Sequence, residues 1–322
     1  VASIGPPEID PYAELVPDRA TAIERLSALH RLSGETPPRF AVVAAEAFVR
    51  RVLPPEALRS RSAVVVAGEE RLQDGLIRLL VEGGYHRVRA VDLPGTFAVR
   101  GGLLDVFAPT AEEPARIEWD GDEVTAVRAF DPATQRTAGE LASVRIHPVT
   151  EILRGEAELK RARVRLRELG DARGMPTRRI AEVVELVEQG AAFPGVETLL
   201  PAFHERLTSV AAYFPDGTAV FVDNPAAVLD VWRREREAIE RSHAAAKERL
   251  VFEPAALALD AGEAAAECGS RALLLSFPPG AVEVSSPRGW NEAAIGRIAH
   301  GGEDNEPLVV ELRQARRDRR GT

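Results

Sequence analysis

Cysteine is almost missing from this chain. Cys268 is the single one in 322 residues. That excludes a disulfide framework or a multi-cysteine zinc site within it and fits a reducing compartment. Cys268 sits in Glu267-Cys268-Gly269 near a helix end, where a buried or incidental thiol is expected rather than a nucleophile. Lysine is nearly absent too: Lys160 and Lys247 are the two among 41 basic residues, and neither follows a glycine. A G-x-x-x-x-G-K-[ST] phosphate loop is therefore absent from the sequence.

Other chemistries are missing as well. The six histidines, His30, His86, His147, His204, His243 and His300, are scattered, none within four residues of another. No metal site with sequence-local ligands is expected. There is no G-x-S-x-G elbow. Gly101-Gly102 runs into Leu103-Leu104-Asp105, which reads as strand, so a dinucleotide loop is a poor reading. No apolar run approaches the roughly 20 residues of a membrane helix. The start, Val1-Ala2-Ser3-Ile4-Gly5, has no basic region leading into an apolar one. A cytoplasmic protein without membrane contact is expected. Positive charge is in deficit, with a net charge of −9 and a pI of about 5.4. Any contact with DNA must be local.

What is present is a globular composition, 45% hydrophobic and 28% charged, of a length for about two domains. Residues 1–61 read as α/β. Asp18 is placed to cap a helix from Arg19 to Leu32, and Phe40-Ala41-Val42-Val43 reads as a buried strand. A helix through Phe48, Val49 and Val52 stops at Pro54-Pro55. Residues 62–148 read as a β-rich unit: a strand at Ala63–Val66, a helix from Leu72 to Val81 stopped by Gly83-Gly84, and strands at about Phe97–Phe107, Ala115–Trp119 and Val124–Phe130. A last strand, Ser143–Ile146, closes it. Asp120-Gly121 between two short strands is a hairpin signal. Residues 149–280 return to α/β, with helices over Glu156–Leu169 and around Ile180–Val187, a strand at Thr218–Asp223, a long helix from Asn224-Pro225 to about Leu250, and a strand at Arg271–Phe277. Residues 281–322 begin a further region and end in the basic run Arg313–Arg320.

The hairpin strand Arg116-Ile117-Glu118-Trp119-Asp120 alternates. Ile117 and Trp119 face a core, and Arg116, Glu118 and Asp120 share the opposite face. Arg100 lies on the preceding strand. By composition such a face is a solvated surface with weak cross-strand pairs. The alternative is a polar docking surface, where arginine is enriched.

The segments Thr96–Phe107, with Arg100-Gly101-Gly102-Leu103-Leu104-Asp105-Val106-Phe107, then Arg116-Ile117-Glu118-Trp119-Asp120-Gly121-Asp122-Glu123-Val124, then Arg128-Ala129-Phe130-Asp131-Pro132-Ala133-Thr134-Gln135-Arg136-Thr137, resemble the UvrB-homology module of the bacterial transcription-repair coupling factors. UvrB, the excision-repair damage-verification protein, carries a looser version. Pro11-Tyr12, Arg25–Leu29, Phe193-Pro194-Gly195 and Tyr213-Phe214-Pro215 extend the likeness over roughly residues 8–280.

The resemblance implies a degenerate helicase-like (P-loop NTPase-like) α/β domain interrupted by a small β-rich α+β domain. Residues 1–61 and 149–280 would form the first domain, and 62–148 the insert. It implies that the insert binds UvrA through positions matching Arg100, Arg116, Glu118 and Asp120. One departure matters: position 120 is aromatic in some relatives and Asp here. RNA polymerase and DNA would be engaged through other domains of the whole factor, an ATP-dependent DNA translocase, and the UvrA surface would be masked by its C-terminal domain. The acidic D-E-S-H motif of UvrB corresponds to Asp223-Asn224-Pro225-Ala226 here. Asn224 replaces the second carboxylate, leaving Asp223 free to cap a helix, so no cofactor and no catalytic residue is expected in this chain. A competing reading is a DNA-gripping remnant without UvrA binding, using Arg161 and Arg165 on a basic helix stripe. Against it stands a solvated helix carrying Glu156, Glu158 and Glu168.

Overall fold

A computed structural model describes residues 1–16, 18–246 and 248–269, together with the strands Ala272–Ser276 and Glu283–Ser285. The punctuation at Pro278-Pro279-Gly280, the ends of the expected strand Arg271–Phe277 and the run Arg313–Arg320 lie outside the described residues.

The chain opens with strand β1 (Ala2–Ile4), helix α1 (Arg19–Leu32), strand β2 (Ala41–Val43) and the short helices α2 (Ala45–Phe48) and α3 (Pro55–Ser60). Helix α1 has the expected span, with Ile23, Leu26, Leu29 and Leu32 on its buried face, the spacing that puts one stripe against a core. Asp18 holds the cap position, but its side chain caps nothing. Two expectations need correcting. Strand β2 pairs in parallel with β1 but is not buried: Phe40 and Val42 are exposed. The helix expected through Val52 ends at Phe48, because Val52 pairs instead with Thr208, in both directions through backbone hydrogen bonds.

The β-rich unit follows: β3 (Ala63–Val65), α4 (Gln73–Glu82), β4 (His86–Arg87), β5 (Thr96–Arg100), β6 (Leu103–Phe107), β7 (Ala115–Asp120), β8 (Glu123–Phe130), β9 (Thr137–Glu140) and β10 (Val144–Ile146). Strands β4 to β9 make one six-stranded sheet in chain order, antiparallel except for β4 beside β5. The single strand expected over Phe97–Phe107 is in fact two, folded back at Gly101-Gly102. Gly101 takes φ +59°, a conformation that glycine adopts without penalty. A Cβ on Gly102 would lie 3.0 Å from the Trp119 carbonyl oxygen. Strand β10 does not join this sheet; it pairs with β3.

One face of the six-stranded sheet carries Phe97, Leu104, Val106, Ile117, Val124 and Val127 into a core with Leu76, Leu80 and Ile23 of α1. Val124 and Val127 are three apart, which breaks strand alternation. A register shift between Glu118 and Trp119 against β8 absorbs the difference, leaving Thr125 exposed. Bulges commonly re-aim side chains in this way.

The remainder comprises α5 (Glu156–Ala172), α6 (Thr177–Gln189), α7 (Leu200–Phe203), β11 (Val220–Asp223), α8 (Pro225–Ala245), α9 (Pro254–Leu257), α10 (Ala261–Cys268), β12 (Ala272–Ser276) and β13 (Glu283–Ser285), with 3-10 turns at Val196–Leu199 and Val210–Tyr213. Gly190 ends α6 at φ +67°, the usual left-handed stop. Strands β11, β12 and β13 form a three-stranded sheet. A core of Leu26, Leu29, Val52, Leu53 and Leu58 is completed by Leu153, Val210 and Tyr213 from far along the chain. The whole is a mixed α/β structure.

Candidate functional site

The second face of the six-stranded sheet carries the polar residues. Register fixes which of them meet: Ala98 lies opposite Asp105, Asp105 opposite Arg116, Arg116 opposite Arg128, and Arg128 opposite Glu140. Antiparallel partners stand close enough to interact directly.

Asp105 is the centre. It is 3% exposed, and Arg116 grips it through both oxygens, Nε to Oδ1 at 2.7 Å and Nη2 to Oδ2 at 2.9 Å. A bidentate, charge-assisted pair is the arrangement that makes a buried carboxylate tolerable. The Asp105 contact holds the Arg116 guanidinium above its ordinary pKa. That guanidinium also lies 4.9 Å from the Phe130 ring centre, within cation–π range. Beside the pair, Phe130, Phe107, Ala98 and Val91 form a small apolar cluster.

Arg100 approaches the same carboxylate at 3.7 Å and donates to the Arg89 carbonyl at 2.7 Å, yet its side chain remains 48% exposed. Glu118 is paired with Arg128. Asp120 is exposed at the end of β7, next to Gly121 at φ +60°. The four residues singled out from the sequence thus lie on one face, but with different occupations. Arg100 presents its guanidinium outward, Arg116 is turned onto Asp105, Glu118 onto Arg128, and Asp120 is open.

An ordered loop follows β8. Asp131 accepts hydrogen bonds from the Ala133 and Thr134 backbone N–H groups and from the Thr134 hydroxyl, which hold its carboxyl below the usual range. Gln135 takes φ +60°. Its side-chain amide donates to the Val91 and Pro132 carbonyls, and its own carbonyl stands 3.5 Å from Arg116 Nη1.

Sequence reading passed over Asp105, Arg128 and Gln135 as parts of this surface. The signal was the Gly101-Gly102 turn. Once β5 and β6 are folded at that point, Asp105 falls in register with Arg116.

The other residues read from the sequence lie elsewhere. Arg161 and Arg165 on α5 do not form an open stripe. Arg161 donates to the Phe203 carbonyl at 2.5 Å, and Arg165 to the Pro201 carbonyl at 2.7 Å, the Glu205 carbonyl at 3.2 Å and the His204 carbonyl. Both serve the C-terminal end of α7, where carbonyls lack helical partners. Asp223 is exposed and is not the helix cap. That role belongs to Asn224, at φ +49°, whose Oδ1 accepts from the Ala227 N–H at 3.3 Å. Asparagine tolerates the left-handed region and caps well. Cys268 is buried, and burial pushes its thiol up to about 11. Among the described residues no three His, Cys, Asp or Glu side chains gather as metal ligands, and no helix is long and apolar enough to cross a membrane.

Residues 65–152 match the family described as the UvrB interaction domain, a span that contains the whole six-stranded sheet. Beyond that unit, the chain is a relative of the transcription-repair-coupling factors. It is 37% identical to the one from Myxococcus xanthus over 251 residues, covering 75% of this chain and 21% of that protein. To the one from Escherichia coli K12 it is 30% identical over 210 residues, 65% of this chain and 18% of that protein. It is also 30% identical over 156 residues to UvrABC system protein B of Thermosipho africanus, 48% of this chain and 24% of that protein. The chain spans about a fifth of the length of these coupling factors.

Proposed function

We propose that this chain is a non-catalytic docking module for UvrA, part of a factor that brings excision repair to RNA polymerase stalled at DNA lesions. The observation that carries the reading is the polar sheet face lying inside the segment that matches the UvrB interaction domain. On it, a half-exposed Arg100 stands beside an arginine–aspartate pair held rigid by the sheet. A partner carboxylate can engage Arg100 in a two-pronged contact without rearranging the surface. Asp120 and Glu118 offer complementary acceptors for basic groups.

The first domain would be a helicase-like fold that has lost nucleotide chemistry. Asn224 is engaged as a helix cap where an active relative needs a carboxylate, and the sequence has no phosphate loop. In the longer protein, polymerase binding and ATP-driven translocation on DNA would belong to other domains. One of these would cover the UvrA face at rest. The module would act in the cytoplasm without cofactor or metal.

The test is titration calorimetry of the chain against UvrA. Saturable binding is expected, weakened at least about tenfold, or about 1.4 kcal/mol, by Arg100→Ala. Absence of binding by the intact, folded chain refutes the reading.

A further inference from the structure

A second cationic site lies away from the sheet face. At the junction between α1, the β-rich unit and the end of α6 there is a cavity of about 360 Å³, within the range of small-molecule sites. Five arginines line it. Three have carboxylate partners: Arg25 with Glu151 at 2.5 Å, Arg50 with Glu235 at 2.8 Å and Arg51 with Glu263 at 3.1 Å. Arg19 and Arg154 differ. Among the described residues, no carboxylate lies within ion-pair distance of either.

These two side chains are held in place nonetheless. Arg19 Nη2 donates to the Gly84 carbonyl at 3.0 Å and the Gly95 carbonyl at 2.8 Å, and its Nη1 sits 2.6 Å from His86 Nε2. Arg154 Nη2 donates to the Val81 carbonyl at 3.3 Å. Two left-handed glycines give them room. A Cβ on Gly95 would lie 2.9 Å from Arg19 Nη2, and one on Gly190 would overlap the Arg154 guanidinium. Burial holds both arginines below the ordinary arginine pKa. It lowers His86 too, and the two neighbouring guanidiniums depress His86 further. The carbonyls at the end of α4 orient the side chains, but the partial charge of a helix end is only about half a unit. Two partly desolvated cations remain uncompensated, a costly arrangement without a counter-ion.

We propose that this cavity binds a small phosphate-bearing molecule, its oxyanion held between Arg19 and Arg154 with His86 alongside. Guanidinium forks match phosphate oxygens bidentately. Glu151 and Glu197, which are engaged by Arg25, keep the anion at the Arg19 end, and Asp18 is the other acid on the wall. Apolar groups of Val149, Ile152 and Val196 would meet the organic part of the ligand. This site is independent of UvrA docking.

The experiment is calorimetry of the full chain with sodium pyrophosphate, against sodium chloride at matched ionic strength. One-to-one saturable binding is expected, weakened at least tenfold in Arg19→Gln and in Arg154→Gln. Arg19 also ties two carbonyls, so if its variant fails to fold, Arg154→Gln decides alone. No saturable binding by the intact chain overturns the proposal. So does binding that Arg154→Gln leaves unchanged, or binding of a short oligonucleotide where pyrophosphate does not bind.

Discussion

Arg116 and Arg100 differ by their surroundings rather than their chemistry. Asp105 lies 3% exposed beneath Arg116, so Arg116→Ala strands a buried carboxylate with only the weaker Arg100 contact left. A loss of about 3 kcal/mol is expected, since breaking one side of a buried pair typically costs 3–5. Arg100→Ala removes a half-exposed side chain, and a change within about 0.5 kcal/mol is expected. Urea denaturation of the two variants checks both values. Any UvrA-binding defect in Arg116→Ala must therefore be read against its stability, whereas Arg100→Ala reports on the surface itself. At Asn224 the cap bond predicts that Asn224→Ala costs about 1 kcal/mol while Asn224→Asp keeps most of it, again read by denaturation. ATP hydrolysis is expected from neither variant.

At the scale of elements, a buried histidine sits where α1 packs on the end of the β-rich unit. His147 is fully buried. Its Nδ1–H donates to the Pro148 carbonyl at 2.8 Å, so Nε2 is the acceptor for the Ser27 hydroxyl at 3.3 Å. His30 stacks on it with ring centres 4.6 Å apart. Burial, with the His30 charge adding to it, lowers His147 to about 4 from 6.5. Between those values the unfolded chain binds a proton that the folded chain does not, so stability rises with pH across the window and falls on acidification. The half-buried His30 and the buried His204 are shifted the same way. The melting temperature is expected to drop steeply from pH 6.5 to 4.5. His147→Gln should flatten that slope by an amount on the order of 3 kcal/mol over the full window. A variant with the wild-type slope would assign the acid sensitivity to other groups.

At the scale of the molecule, the two α/β segments are one packing unit. The core around Leu26, Leu29 and Leu53 needs Leu153, Val210 and Tyr213, and the Tyr213 hydroxyl donates to the Leu53 carbonyl at 2.8 Å. Residues 1–61 alone lack that complement and are expected to show no helical circular dichroism. Adding residues 149–280 as a second chain supplies that complement and should restore the helical signal. The β-rich unit is tied down by Ile23 in its core, by the Val149 N–H donating to the Gly83 carbonyl at 2.8 Å, and by Arg61 between Glu82 and Glu158.

Local pattern alone determined much of this protein. The span of α1, the stop at Gly190 and the hairpin at Asp120-Gly121 follow from side-chain period and glycine stereochemistry, which act over a few residues. Alternation likewise put Arg116, Glu118 and Asp120 on one face, and the absence of a lysine-bearing loop needs no fold. Tertiary structure decided the rest. The turn at Gly101-Gly102 split one apparent strand into two and brought Asp105 under Arg116. The pairing of Val52 with Thr208 cut a helix short. Packing of α7 against α5 turned Arg161 and Arg165 inward, and Arg19 met Arg154 across a cavity. In each case the deciding partner is distant in sequence, and a hydrogen bond or ion pair satisfied at long range leaves no trace in local periodicity.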